Sequence, residues 1–290
     1  MNKNTFKTTI LLAGIGGLLV AVGSLLGGRG GAVIGLVLGC GIVGFSYWNS
    51  DKLAIKATRA VPVAESQYPE YYAMVRDLTS RAGMPMPNLY MTPDDQPNAF
   101  ATGRNPDHAA VAVTQGIVAM LGWGDELRGV LAHEISHVGN RDILIGSVAA
   151  AVATAISFIA NMAMWGAMFG GGRNDDDGPN PLVLLLAALV APIAAGLLQM
   201  ALSRSREFEA DRSGARLIGD GEPLARALES IESAAQRIPM PVQPAQAQMY
   251  IINPLTNAAV AKRVQFANLF RTHPPTAERT ARLRAGEWRR

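Results

Sequence analysis

The sequence predicts a mostly α integral membrane protein, with about four transmembrane helices interleaved with one aqueous α+β domain that carries a small edge sheet. Three observations predict it. First, charge is segregated. The 290 residues include 26 basic and 23 acidic side chains. Residues 1–48 hold only Lys3, Lys7 and Arg29, and residues 143–202 only Arg173, Asp175, Asp176 and Asp177. These 108 residues thus carry seven charges, and the other 182 carry 42. Second, the uncharged runs 8–28, 30–48, 143–172 and 178–203 are long enough to span a bilayer, where about 20 apolar residues in a helix satisfy their own backbone groups. Third, the polar stretches 49–142 and 204–290 show the shorter periods of a folded aqueous domain. The mean hydropathy of +0.16 is the average of these two populations. A single soluble domain, a disordered chain and a collagen-like repeat are excluded.

Residues 1–48 read as a helical hairpin, with spans at 8–27 and 31–48 joined by the Gly-rich link 27–31. Residues 143–203 read as a second hairpin, with spans at 146–168 and 181–201 and a turn-rich acidic loop between them. Lys3, Lys7, Lys52, Lys56, Arg59, Arg141, Arg204 and Arg206 flank the spans on one side, which predicts cytoplasmic termini and a cytoplasmic 49–142. The first span exceeds the usual apolar core of a signal peptide and a second follows at once, so it is expected to stay in place. The only cysteine, Cys40, excludes an internal disulfide and a Cys-rich zinc site. The basic balance of +3 comes with no nucleic-acid motif, and no Gly-x-x-x-x-Gly-Lys loop is present. Neither nucleic acid nor nucleotide is therefore an expected partner; a lipid bilayer is.

The two polar stretches are expected to fold together. Pro69 opens a helix through about Ala82, with Tyr71, Val75 and Leu78 along one face, and Gly83 ends it. Strands are expected at Asn88–Met91, Asn98–Thr102 and Ala109–Thr114. The last two flank the turn Gly103-Arg104-Asn105-Pro106-Asp107 and should pair as a hairpin. A helix follows over about 125–138. Further helices are expected near 204–218, 223–236 and 275–284, and the Pro- and Gln-rich 238–249 reads as a loop.

The helix at 125–138 carries His133-Glu134-Ile135-Ser136-His137. Positions i and i+4 share a helix face, so both imidazoles can meet one metal ion, with Glu134 beside them as general base. Random placement of 4 His and 11 Glu would give this pattern with a probability of only about 0.2%. A catalytic zinc needs a third protein ligand and an open position for water. His108, His273 and the acids after residue 203 are candidates. Glu207 and Asp211 would share a helix face, with Glu209 pointing elsewhere, an arrangement that suits one ligand plus one carboxylate orienting a histidine.

The chain resembles the HtpX family, bacterial membrane-bound zinc endopeptidases related to the CAAX prenyl proteases. The resemblance rests on His133-Glu134-x-x-His137 and Ser203-Arg204-x-x-Glu207-x-x-Ala210-Asp211. It also includes Asn98-Ala99-Phe100-Ala101-Thr102-Gly103 and His273-Pro274-Pro275-Thr276-Ala277-Glu278-Arg279. It implies a zincin-like metalloprotease domain that binds one zinc ion through His133, His137 and Glu207. It implies that Asp211 supports a ligand histidine, that His273 steadies the oxyanion, and that Arg279 organises it. Asn98–Gly103 would be an edge strand that receives extended peptide. Arg204 is either an interface anchor or a salt-bridge partner of the site. The implied role is degradation of unfolded or damaged membrane proteins in a bacterial cytoplasmic (inner) membrane.

The two hairpins also place the site. His137 lies about 9 Å along a helix from Ile143, and Glu207 only four residues beyond Ser203, so both ligand-bearing helices should meet the bilayer at once. The charged Asp125, Glu126 and Arg128 before the motif argue against a metal inside the hydrocarbon. A non-catalytic scaffold is disfavoured by the intact His-Glu-His set, and a dedicated prenyl-peptide protease by the small number of spans.

Overall fold

The computed structural model describes residues 13, 17, 20, 24, 28–41, 44–45, 47–144, 204–237, 250–251 and 274–289. The expected spans 8–27, 146–168 and 181–201 lie outside these, apart from the helical residues 13, 17, 20 and 24; so do the 238–249 loop and His273. Among the described residues, no helix is long and apolar enough to cross a membrane. Those of the expected second span, 31–41, 44, 45, 47 and 48, are helical. Val33, Ile34, Leu36, Val37, Leu38, Phe45 and Trp48 are all exposed there.

That helix does not stop at the polar boundary. Asn49 N–H donates to Phe45 O and Leu53 N–H to Asn49 O, so helical bonding continues into α1 (Ser50–Ala57), which the sequence reading did not anticipate. A short strand β1 (Val61–Pro62) follows, then α2 (Pro69–Ala82). Pro69 opens α2, where its missing N–H costs no helical bond, and Gly83 ends it at φ 63. Tyr71, Val75 and Leu78 are fully buried along its inner face, as their spacing predicts.

The sheet is four-stranded and mixed, in the order β1-β2-β4-β3, with β2 (Asn88–Thr92), β3 (Ala99–Gly103) and β4 (Ala109–Thr114). β2 and β4 run parallel, and β3 returns antiparallel to β4 through the expected hairpin. Gly103 closes it at φ 137, where a Cβ would lie 2.1 Å from His108 O. Every residue of β4 is buried, as befits a central strand covered on both faces. The Tyr71 hydroxyl donates to Val111 O at 3.1 Å, which fixes α2 against that strand. β3 is the edge.

After β4 the Thr114 side chain accepts from Ile117 N–H and caps α3 (Gln115–Leu121). The central helix α4 (Asp125–Gly139) buries most of its length. It packs against β3, α5 (Arg204–Ile218) and α6 (Glu222–Arg237), and α7 (Thr276–Arg284) closes over α5 and α6. Two glycines permit the close helix contacts. A Cβ on Gly129 would lie 2.7 Å from Leu224 N, and one on Gly214 2.9 Å from His133 N. Since the second obstruction is backbone of α4 itself, Gly214→Ala must push α5 away. We expect a loss of about 1–3 kcal/mol in stability, read from the urea unfolding midpoint, with weaker metal retention in the same protein.

Candidate active site

α4 presents His133 and His137 on one face, with ring centroids 4.7 Å apart and planes at 88°. Their Nε2 atoms are 3.2 Å apart. Glu207, from the first turn of α5, brings Oε2 to 3.8 Å from His133 Nε2 and Oε1 to 3.6 Å from His137 Nε2. Each imidazole turns its other nitrogen to a carboxylate: His133 Nδ1 lies 2.8 Å from Asp211 Oδ1, and His137 Nδ1 3.2 Å from Asp142 Oδ2. With the Nδ1 protons given to these acids, both Nε2 lone pairs face each other and the Glu207 oxygens. Electron-rich atoms gathered this way repel unless a cation lies among them. The spacings also suit a small tetrahedral ion, since ligand atoms about 2.0–2.1 Å from zinc stand roughly 3.3 Å from one another. The three residues therefore fit a metal ion.

Asp211 is held from both sides. Arg279, wholly buried, donates from Nη2 to Asp211 Oδ1 at 2.7 Å and from Nε to Oδ2 at 2.8 Å. Burial alone would raise the Asp211 carboxyl, but Arg279 and His133 outweigh it and bring it down to about 2. The third face of Arg279 donates from Nη1 to Ile251 O at 3.2 Å. His137 is governed likewise: burial pulls its imidazole down, but Asp142 and Glu207 prevail and push it up to about 9. These same negative charges favour a bound cation.

Glu134 is buried beside the ligands, its Oε1 4.0 Å from His133 Nε2. Its Oε2 accepts from Ala101 N–H at 2.9 Å, so it lies between the ligand cluster and the edge strand. Burial pushes its carboxyl up from the ordinary range, opposed by the two imidazoles, as suits a general base working near neutrality.

β3 alternates in what it offers. Asn98 O accepts from Thr114 N–H, so the even-numbered residues face β4, and Ala99, Ala101 and Gly103 turn their backbone groups away from it; Ala101 is part-exposed and gives its N–H to Glu134, while Ala99 and Gly103 are buried. Phe100 and Thr102 are buried. Asn98 differs from its expected part in peptide contact. Its backbone N–H and C=O are both taken by Thr114, and its side-chain Oδ1 accepts from Ile251 N–H at 3.0 Å. It braces the strand and offers no backbone group to an incoming chain.

Arg204 also departs from its salt-bridge reading: it is exposed, and the buried arginine of that turn is Arg206. The exposed His108 bonds Asn105 of its own loop and, among the described residues, is not part of the His133-His137-Glu207 cluster. Asp142 and Arg206 are the residues that sequence reasoning missed. The available signal was a charged pair flanking an apolar insertion, at positions where charge must be buried or wetted.

A largely buried His-His-Glu set and a carboxylate base beside strand β3 define a metallopeptidase centre. The chain matches Peptidase family M48 over residues 65–287 and belongs to that family. It is 50% identical over 284 residues to a "Protease HtpX homolog" of Pelotomaculum thermopropionicum, covering 97% of this chain and 99% of that protein. It is also 50% identical to one of Paraburkholderia phytofirmans, covering 97% of this chain and 96% of that protein. The crystal structure of S. mikatae Ste24p superposes with a TM-score of 0.46 at 17% identity, covering 96% of this chain and 64% of that one.

Removing Arg279 would leave Asp211 buried without its cation. Arg279→Ala is expected to cost about 3–5 kcal/mol, measured by chemical unfolding of the purified protein. Arg279→Lys should recover only part of this, because an ammonium cannot make the paired contact of a guanidinium.

Proposed function

We propose that this chain is a membrane-anchored zinc endopeptidase that hydrolyses unfolded or damaged membrane proteins at the cytoplasmic face. The observation that carries the reading is the position of Glu134, between three convergent ligands and the free edge of β3. Zinc fits the nitrogen and oxygen donors of His133, His137 and Glu207, and when bound supplies a Lewis acid that acidifies water and polarises the scissile carbonyl.

The chain's own residues do the rest. Ala101, the part-exposed residue of β3, would pair with an extended peptide through its backbone carbonyl while Glu134 holds its N–H, which selects for unfolded segments over folded ones. Glu134 accepts a proton from the attacking water as its oxygen bonds to the carbonyl carbon. It then passes that proton to the nitrogen as the C–N bond breaks. His273 is the proposed donor to the oxyanion, following the motif it shares with the HtpX family.

Support for anchorage is chemical. The four uncharged runs have spanning length, and Val33, Ile34, Leu36, Val37 and Leu38 would be costly to leave in water. The charged flanks favour a cytoplasmic face for the aqueous domain. With ligands on either side of 143–203, the reading puts the centre at the bilayer surface, within reach of juxtamembrane segments. Quality control of membrane proteins is the role that follows.

Two variants separate metal from proton transfer. Glu134→Gln should keep stoichiometric zinc and lose roughly 10²- to 10⁴-fold in kcat on an unfolded membrane-protein substrate. Glu207→Ala should lose zinc and activity together. Undiminished turnover by Glu134→Gln would overturn the mechanism. Cleavage confined to a single C-terminal motif, with unfolded chains untouched, would favour a processing enzyme instead.

A further inference from the structure

The two ligand histidines are held by unequal means. His133 leans on Asp211, which Arg279 grips with two hydrogen bonds in a fully buried position. His137 leans on Asp142, which lies beyond the end of α4. The chain gets there by a sharp turn. Arg141 adopts φ 59, in the left-handed region that favours glycine, and its N–H donates to Val138 O. The turn brings Asp142 back over the helix end, where its N–H donates to His137 O at 2.9 Å while its Oδ2 meets His137 Nδ1 at 3.2 Å. Asp142 thus grips His137 by both backbone and side chain. It is buried, and so is Arg206, at the other end of the 143–203 insertion. Burial works against the Arg206 charge, and Asp142 and Glu207 support it.

We propose that Asp142 is a positioning residue for the metal centre: it holds the His137 proton on Nδ1 and so aims Nε2 at the ion shared with His133 and Glu207. This rests on the metal-centre reading above. The Nδ1–H of a free imidazole competes with Nε2–H, and a carboxylate fixed to Nδ1 removes that choice while making the other nitrogen a better donor to a cation. Arg206, beside Asp142 and Glu207, supplies the positive charge between the two elements that bound the insertion. The geometry gives Asp142 the same duty toward His137 that Asp211 has toward His133.

The test uses the full-length protein in detergent. Zinc affinity is measured by competition with a chromophoric chelator, and uniformly ¹⁵N-histidine-labelled protein reports the imidazole tautomers in the zinc-loaded state. Asp142→Ala should bind zinc roughly 10- to 100-fold more weakly than wild type, with an unchanged far-ultraviolet dichroism spectrum. The wild type should show two protected Nδ1–H protons, and the variant only one. If the alanine variant does not fold, Asp142→Asn retains an acceptor of the same shape, and the Nδ1–H resonance of one histidine should move while its Nε2 remains metal-bound. Wild-type affinity in Asp142→Ala, or an unmoved resonance in Asp142→Asn, would overturn the proposal while leaving the ligand assignment intact. Absence of zinc from the wild type, by contrast, would bring down the metal-centre reading and this proposal with it. Glu207→Ala serves as the reference for full loss of binding.

Discussion

A carboxylate shut away from water must be answered by charge and hydrogen bonds, and Asp211 is answered from two directions at once. Arg279 reaches it from the last helix of the domain and His133 from the central one. The ion pair is expensive to bury, and the two Arg279 hydrogen bonds and the His133 contact offset that cost. Its consequence is architectural. Helix α7, distant in sequence from the His-Glu-x-x-His motif, becomes part of the ligand sphere. The Ile251 peptide extends the same chain of bonds, giving its N–H to Asn98 and its C=O to Arg279. The strand edge, the ligand histidine and the C-terminal helix are thereby braced as one unit. A bond removed anywhere along it is expected to loosen both β3 and the ligand set.

Close helix approach is the second constraint. Glu207 and Asp211 occupy successive turns of α5, and Gly214 follows in the next. The missing side chain of Gly214 lets α5 lie against the backbone of Ala132 and His133. The distance between the helices is therefore set by hydrogen-sized clearance, and carboxylates as short as Asp can span it. Since residues 143–203 intervene between α4 and α5, this contact also draws the two ends of a long insertion together.

Legibility in the sequence followed the range of the forces involved. Helix α2 was readable because Pro69, Gly83 and the Tyr71-Val75-Leu78 spacing are local signals, and the β3–β4 hairpin because its turn residues are. Helix α3 was not, being only two turns long, with Thr114 as its main local mark. Helix α1 was hidden because it continues an apolar helix across a polar boundary, where composition changes but hydrogen bonding does not. In the site, His133, Glu134 and His137 follow from helical periodicity alone. The pairing of Glu207 with Asp211 was half-legible: their shared face could be read from spacing, but which one is the ligand came only from the resemblance to the HtpX family. Asp142 and Arg206 were invisible, since their places depend on the left-handed turn at Arg141 and on contacts across the insertion. Asn98 was read as part of a recognition strand, yet Thr114 and a segment more than 150 residues away claim its polar groups.

The unbroken helical bonding from Phe45 through Asn49 to Leu53 carries a further meaning. These two bonds tie the helical residues Phe45, Tyr47 and Trp48 to α1, and α1 rests against β3. Such a shaft transmits angle as well as distance. One residue added between Phe45 and Leu53 would rotate Phe45 by about 100° and shift it by about 1.5 Å relative to α1. The direction in which β3 looks relative to Phe45 is therefore encoded in a residue count rather than left to a flexible tether.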